Sequence, residues 1–455
     1  MLPETLQKWL DEATAQLRCR RAVPAVHGEL ESHLLEQNEA YRQAGDDAET
    51  AARRTVESMG DPVLVGGRLD AVHRPRPAWG PLALLCAMVL AGALLRVYRS
   101  VYIVYVGETP VWNWAGADFG LLFETMAPMA LMVILAMWGD IGAVLKHFGA
   151  WCAVWLVLAW LVWRQAVLHG TPIVYDSAVI LLYVPLYAVA VYRRRGQRWR
   201  GLALSCLGVL PCLLLAWCVR DYAAGILAGL GCLAVFAYAW LQKWWGVGRG
   251  AGSLAAAALG GGLWGLVSLW KPGLYQWLVR FWGRRAVDRQ ALRNLIQILG
   301  QDRSIPEAVL ASSSVVDPAL GYYYRAYTDG WALMKNQPLA YLALKGGLWA
   351  GGLALAATAA LLVWLWYMCA CIKGQLGRLV AVGACALLTA QFALNLLDSV
   401  GLGAGLGTAL FLGGDTGLLA AQCGLAGLLL SAFRYDAVDA PEPRAKKLRV
   451  TLRWE

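Results

Sequence analysis

Six ionisable side chains fall inside or at the edges of otherwise apolar stretches: Glu124, Lys146, Asp221, Lys345, Asp398 and Asp415. A charge at bilayer depth is costly and is kept where it pairs, relays a proton or meets a polar substrate. Lys146 and Asp398 stand near stretch ends, from which a side chain reaches the interface by snorkelling. Arg220-Asp221 occupies a turn between two tightly spaced apolar stretches. Lys345 lies about two turns inside another, at roughly 1.5 Å per residue. These three are placed to line a polar cavity. Gly413-Gly-Asp-Thr-Gly417 interrupts the last apolar stretch with flexible backbone and a carboxylate, an arrangement tolerated at membrane depth where it lines a cavity.

Other chemistries fail on residue count or spacing. The five histidines are scattered, and Glu29 and His33, which share a helix face, have no third ligand nearby for a metal. Cys369-Ala-Cys371 lacks zinc or redox spacing. Ser312-Ser-Ser314 has no nearby His and reads as loop. No glycine-rich phosphate loop follows a strand, which argues against ATP hydrolysis.

The elements that must position the six charges are membrane spans. Of 455 residues, 59% are apolar and 15% charged, against roughly 25% charged in a soluble domain. Ten stretches are long enough to cross a bilayer, at about 20 residues each: about 80–98, 119–138, 141–163, 173–192, 201–219, 222–242, 252–270, 338–367, 376–398 and 403–432. The expected fold class is therefore all-α, a polytopic membrane protein. The 23 Trp and 49 Gly suit interfacial belts and close helix packing, the latter at Gly225-Ile-Leu-Ala-Gly229 and Gly260-Gly-Gly262. The net charge of +10 resides largely in short turns, where it sets topology and does not call for nucleic acid. Arg193 to Arg200, Lys243 and Arg249, Lys373 and Arg378, and Arg444, Lys446 and Lys447 fall on one side, cytoplasmic by the positive-inside rule. Both termini are then inside, and 271–337 is an extracellular loop. In that loop Leu274, Trp277, Leu278, Phe281 and Trp282, with Arg280, Arg284 and Arg285 interleaved, fit a helix lying in the interface.

Residues 1–79 read as a small cytoplasmic unit of three helices and a linker. Leu6, Leu10, Ala13 and Leu17 mark the first stripe, Val26, Leu30, Leu34, Gln37 and Tyr41 the second, and Ala52, Val56 and Met59 the third. Pro24 opens the second helix, Asp46 with Glu49 caps the third, and Gly60-Asp61-Pro62 ends it. His73 to Pro77 is a stiff basic linker. The membrane domain spans 80–433 and a basic tail 434–455. Ten of the 11 cysteines sit in or beside spans, and none falls in the long loop, so no disulfide framework is expected. The first span, near Gly80, begins too late for a cleavable signal peptide.

Two regions resemble the FtsW/RodA/SpoVE family of shape, elongation, division and sporulation proteins. Leu210-Pro-Cys-Leu-Leu-Leu-Ala-Trp-Cys-Val-Arg-Asp-Tyr-Ala-Ala-Gly225 is similar to its Leu-Pro span leading into Pro-Asp-Leu-Gly-Thr-Ala, with Asp221 at the family aspartate. Gln391, Asn395, Gly401, Leu410-Phe-Leu-Gly-Gly-Asp-Thr-Gly-Leu-Leu419 and Leu428 to Arg434 look like its last two spans. Ten spans with a large outer loop between the seventh and eighth is also the family layout. The Arg-Trp and Gln-Pro-Ser-Glu signature before the fourth span is reduced here to Ile173-Val-Tyr-Asp-Ser177. The head resembles a permease-prefix domain through Glu29-Leu-Glu-Ser-His-Leu34, Gly45, Glu49, Ala51-Ala52 and Met59-Gly-Asp-Pro62.

The resemblance implies a peptidoglycan glycosyltransferase of the bacterial plasma membrane. It would polymerise the undecaprenyl-pyrophosphate-linked disaccharide-peptide at the outer leaflet, with a penicillin-binding protein (a transpeptidase) as partner. It demands no cofactor and leaves a divalent cation open. A base must take a proton from the acceptor hydroxyl while cations stabilise the departing pyrophosphate. The family's Thr-Asp-Phe base corresponds to Asp329 in Thr328-Asp329. Aligned without gaps on Gly347-Leu-Trp-Ala-Gly351, the same column falls instead on Asn336 or Gln337, neither of which is a base. Substrate contacts would be Arg220, Asp221, Lys345, Asp415, Arg280 and Arg284. Two other readings stand beside this one: a catalytically degenerate member that binds or regulates a cell-wall synthase, and a transporter of lipid or solute.

Overall fold

The structure is a computed structural model. It describes residues 3–19, 22–73, 75, 77–100, 102–106, 109–113, 120–169, 175–248, 250, 252, 260, 338–399, 410–412 and 415–439. The expected seventh span, the loop 271–337 with Asp329, Arg280, Arg284, Asn336 and Gln337, and residues 440–455 lie outside or almost wholly outside the described residues.

The head contains four helices, not three: α1 (Glu4–Ala15), α2 (Val23–Gln43), α3 (Ala48–Met59) and α4 (Pro62–His73). Gly60, at φ 83°, ends α3 in a backbone conformation that favours glycine. Pro62 then starts α4 at once, because a first-turn proline forgoes no helical hydrogen bond. Leu6, Trp9, Leu10, Ala13, Leu17, Val26, Leu30, Leu34 and Ala52 form the core, with Val65 and Leu69 of α4 packed against it. Gly66 brings α4 so close that a Cβ there would run into the Ala13 carbonyl oxygen. Trp9 donates to the Gly60 carbonyl at 2.8 Å.

Two local expectations shift by one residue. Asp47, not Asp46, caps α3, accepting from the Thr50 N–H at 3.4 Å; hydrogen bonding to Thr50 holds its carboxyl below the ordinary value. Asp46 binds Arg54 instead, at 2.9 and 3.0 Å. On α2 the buried face runs from Leu34 to Asn38, four residues on, and leaves Gln37 exposed.

Because α4 completes this core, residues 1–73 are expected to be soluble and to melt cooperatively by circular dichroism. Residues 1–60, lacking Val65, Leu69 and the Gly66 contact, are expected to lose that transition, since a domain this small has little stability to spare. Equal melting of the two fragments would show that α4 is dispensable.

The membrane part contains α5 (Trp79–Ser100), the hairpin β1 (Tyr102–Val106) and β2 (Thr109–Asn113), α6 (Gly120–Trp138), α7 (Ile141–Lys146), α8 (Phe148–His169), α9 (Asp176–Leu181), α10 (Tyr183–Arg193), α11 (Arg198–Leu207), α12 (Leu210–Val219), α13 (Tyr222–Leu241), α14 (Pro338–Cys371), α15 (Gln375–Ser399) and α16 (Thr416–Asp439). The strands pair antiparallel, Tyr102 opposite Asn113 and Val106 opposite Thr109. Counting α9 with α10 and α11 with α12 as single spans, seven helices among the described residues are long and apolar enough to cross a membrane, and shorter apolar helices cover Trp79–Leu95 and Leu122–Trp138.

Four expected spans differ in detail. The third starts at Phe148, because Asp140 caps the separate helix α7 through the Gly142 N–H (2.8 Å) and leaves Lys146 exposed in its last turn. The fourth and fifth are broken at Leu182 and at Gly208-Val209. A proline lacks the N–H for, and clashes with, the carbonyl four residues before it. Pro185 and Pro211 place that carbonyl on Leu181 and Leu207, where the regular helices stop. Backbone opened at the second break finds side-chain donors: Tyr183 gives its hydroxyl hydrogen to the Gly208 carbonyl (2.6 Å) and Tyr187 to that of Ser205 (2.9 Å). Among the described residues of the last span, the helix begins at Thr416. Residues 410–412 form a turn in which Phe411 has φ 59° and gives its N–H to Gln422 Oε1 at 2.7 Å.

The bundle is layered from centre to rim. In α16, 89% of the spanning window is buried, against 11% in α8. Of the glycines expected at helix contacts, Gly225 fits, since its Cβ would meet the Ala216 Cβ at 2.7 Å, whereas Gly229 has only ordinary contact.

Candidate functional site

One end of the bundle is defined by three turns that touch. Gly196 donates its N–H to the Trp244 carbonyl at 2.8 Å, and Arg195 reaches Gln375 Oε1 at 2.5 Å. The α10–α11 turn, the end of α13 and the start of α15 thereby meet, gathering Arg193, Arg194, Arg195, Lys243 and Arg378. The opposite end of the same helices is acidic.

At that acidic end only Arg220 and Asp221 connect α12 to α13. Arg220 takes a left-handed conformation, φ 67°, and is exposed. Asp221 turns its carboxylate inward. One oxygen accepts from the Ala224 N–H at 3.0 Å, capping α13, and the other accepts from the Ser177 hydroxyl at 2.6 Å. The α12–α13 turn is thus tied to the first turn of α9. Beside Ser177 lies Asp176, only 6% exposed, within electrostatic reach of both Asp221 and Asp415. Asp415 precedes α16 and accepts from the N–H groups of Gly417 (3.1 Å) and Leu418 (3.2 Å). The next residue, Thr416, donates to Glu124 of α6 at 3.2 Å. Four carboxylates from four segments therefore share one end of the bundle.

Helix α15 adds two amides beneath them. The Cβ that Gly231 lacks would lie 3.1 Å from Val184 and 3.4 Å from Leu387, which puts these three residues in one layer. One turn along α15 from Leu387 toward the acidic end is Gln391, and one turn further is Asn395; both are wholly buried. The corresponding turns of α13 and of α9–α10 are Leu227 with Ile180, then Ala224 with Asp176 and Ser177. Neither side-chain amide atom of Gln391 finds a hydrogen-bond partner among the described residues. An unpaired buried amide costs about 1–3 kcal/mol, so Gln391 opposes folding at a place where a leucine would not.

The arrangement is rich in acceptors. It suits hydroxyl donors of a polyol and repels a phosphate, which would have to meet Arg220 at the rim. Among the described residues no group of three His, Cys, Asp or Glu side chains is placed to hold a metal ion.

The structure brings together Arg220, Asp221 and Asp415 of the expected site. Lys345 lies on α14, whose first turn is at the same end, since Leu339 packs against Leu412, three residues before Asp415. Asp329, Arg280 and Arg284 lie outside the described residues. Asp176, Ser177 and Gln391 were not expected as site residues. Their signals were present, as a carboxylate inside the expected fourth span and two amides spaced four apart, Gln391 and Asn395, in the ninth.

Fold and site together define a polytopic α-helical membrane protein with carboxylates gathered at one end of its bundle and arginines at the other. No family model matches the chain, and no curated protein matches it significantly.

Proposed function

We propose that this protein is a glycosyltransferase-like membrane protein of the FtsW/RodA/SpoVE type. It polymerises an undecaprenyl-pyrophosphate-linked disaccharide-peptide at the outer leaflet of a bacterial plasma membrane during growth, division or sporulation. In this reading the chain crosses the membrane ten times, with both termini and the four-helix head in the cytoplasm, and a penicillin-binding protein works beside it. The observation that carries the proposal is the convergence of Asp176, Ser177, Asp221 and Asp415 at the end of the bundle where α14 begins. The loop bearing Asp329, Arg280 and Arg284 enters α14 there. Acceptors on the helices would hold sugar hydroxyls, loop arginines and Arg220 would meet the pyrophosphate, and Asp329 would take the acceptor proton.

One observation favours the second reading, a non-catalytic member that binds precursor or regulates a synthase. Both carboxylate oxygens of Asp221 are committed, one to a helix cap and one to Ser177, so this aspartate serves the architecture. The deciding experiment incubates purified full-length protein with lipid-linked precursor and resolves the products on a gel. Glycan chains support the enzyme; precursor bound without polymer supports the regulator; neither outcome would leave the transporter.

The topology has its own test. In a background with the native cysteines replaced by alanine, Ser313→Cys is expected to react with an impermeant thiol reagent on intact cells. Gln197→Cys, at the basic end, is expected to react only after permeabilisation. Reversed labelling would put Asp329 on the wrong side for the reaction.

A further inference from the structure

The arginines at the basic end are arranged around a cleft. Phe148 of α8, Ala190, Arg193 and Arg194 from α10 and its turn, and Gln197, Arg200 and Leu204 from the start of α11 enclose about 770 Å³. That volume admits a phosphate-sized headgroup with room for its ester arms. Arg193 lies over the Phe148 ring, 4.9 Å from its centroid. Arg194 spends one N–H on the Leu204 carbonyl at 2.6 Å, and a guanidinium has four more donors. Arg195 is turned away, toward Gln375 and the Tyr192 ring. Among the described residues, no ion pair joins Arg193, Arg194 or Arg200 to a carboxylate.

Below the cleft the surface is apolar and faces outward. Helix α8 carries Trp151, Val154 and Leu158, between 44% and 50% exposed, in a stripe that starts one turn beyond Phe148. Helix α11 continues from Arg200 through Leu204 and Leu207, the latter 58% exposed. Both helices leave the cleft in the same direction, into the hydrophobic layer. A soluble anion would use only the arginines, and a neutral lipid only the apolar faces. One class of molecule uses both.

We propose that this cleft binds the phosphate headgroup of an anionic phospholipid, with the acyl chains lying along α8 and α11. Arg193 and Arg200 supply the charge, held in place by Phe148 and by the turn that Arg194 fastens. Basic clefts between spans near a membrane surface recognise anionic headgroups by this combination of charge and shape. The site is independent of the reaction proposed above, because it lies at the other end of the bundle.

The test uses full-length protein in detergent, with phosphatidylglycerol, phosphatidylethanolamine or glycerol 3-phosphate added, read by native mass spectrometry. Native protein is expected to retain phosphatidylglycerol and not phosphatidylethanolamine, and millimolar glycerol 3-phosphate should not displace it. The double variant Arg193→Gln/Arg200→Gln should retain phosphatidylglycerol about 30-fold less, at roughly a factor of five per arginine near a charged interface. Arg193→Lys/Arg200→Lys should recover most of that loss. Melting without lipid reads the fold of each variant separately, and the lysine pair controls for an arginine needed only in packing. Equal retention of both lipids, equal retention by native protein and the glutamine variant, or displacement by glycerol 3-phosphate would each overturn the proposal.

Discussion

Asp329→Asn is expected to lower the rate of glycan polymerisation by about 10²- to 10⁴-fold, the usual loss when a general base is removed, with precursor binding nearly intact. The amide keeps the size and polarity of the carboxylate and cannot accept the proton. Glycan gels give the rate, and co-purification of labelled precursor gives the binding. The gap-free register makes the opposite forecast: native protein is inactive, Asp329→Asn changes nothing, and Asn336→Asp or Gln337→Asp restores slow polymerisation. An active native enzyme indifferent to Asp329→Asn would defeat both registers and send the search to Asp176. Asp176 is the better remaining candidate because Asp221 spends both oxygens on Ser177 and Ala224, and Asp415 holds the first turn of α16.

Gly427→Leu is expected to prevent the bundle from assembling. A Cβ at Gly427 would stand 2.8 Å from the Met132 carbonyl oxygen, 2.9 Å from the Leu135 Cβ and 3.2 Å from the Met132 Cα. The obstacle is mainly the backbone of α6 and has no rotamer to give. One turn further along α16, Ser431 donates to the Gly139 carbonyl at 2.8 Å, so the same helix pair is fastened where it would be forced apart. Overpacking a well-filled core costs about 1–3 kcal/mol even where side chains can move, and here they cannot. Detergent-extracted Gly427→Leu should appear as aggregate or as a species melting well below native protein. Gly352→Ala, a position with nothing within 4 Å of the missing Cβ, should melt as native protein does. Comparable melting of Gly427→Leu would show that α6 and α16 are not in this contact.

Sequence alone determined the class of molecule. Bilayer thickness demands contiguous apolar runs, so Gln375–Leu397 declares itself without any knowledge of its neighbours. The expected fourth and fifth spans ran unbroken, and the structure shows breaks at Leu182 and Gly208, where Pro185 and Pro211 act on the carbonyl four residues before them. The head's stripes were legible because each helix repeats every 3.6 residues against one core, although a fourth helix behind Pro62 was hidden by a motif that both ends one helix and begins the next. What only the tertiary structure decided depends on distances between segments far apart in the chain. Gly427 and Gly229 look alike in sequence and differ because one faces the backbone of α6 and the other an ordinary side-chain contact. Asp176 and Asp221 are 45 residues apart, each plausible as an isolated span-end charge, and become one cluster because Ser177 gives its N–H to the first and its hydroxyl hydrogen to the second. Local patterns report how a residue relates to lipid, water and its own helix; which residues share a site is set by how the helices pack, and that information is nonlocal.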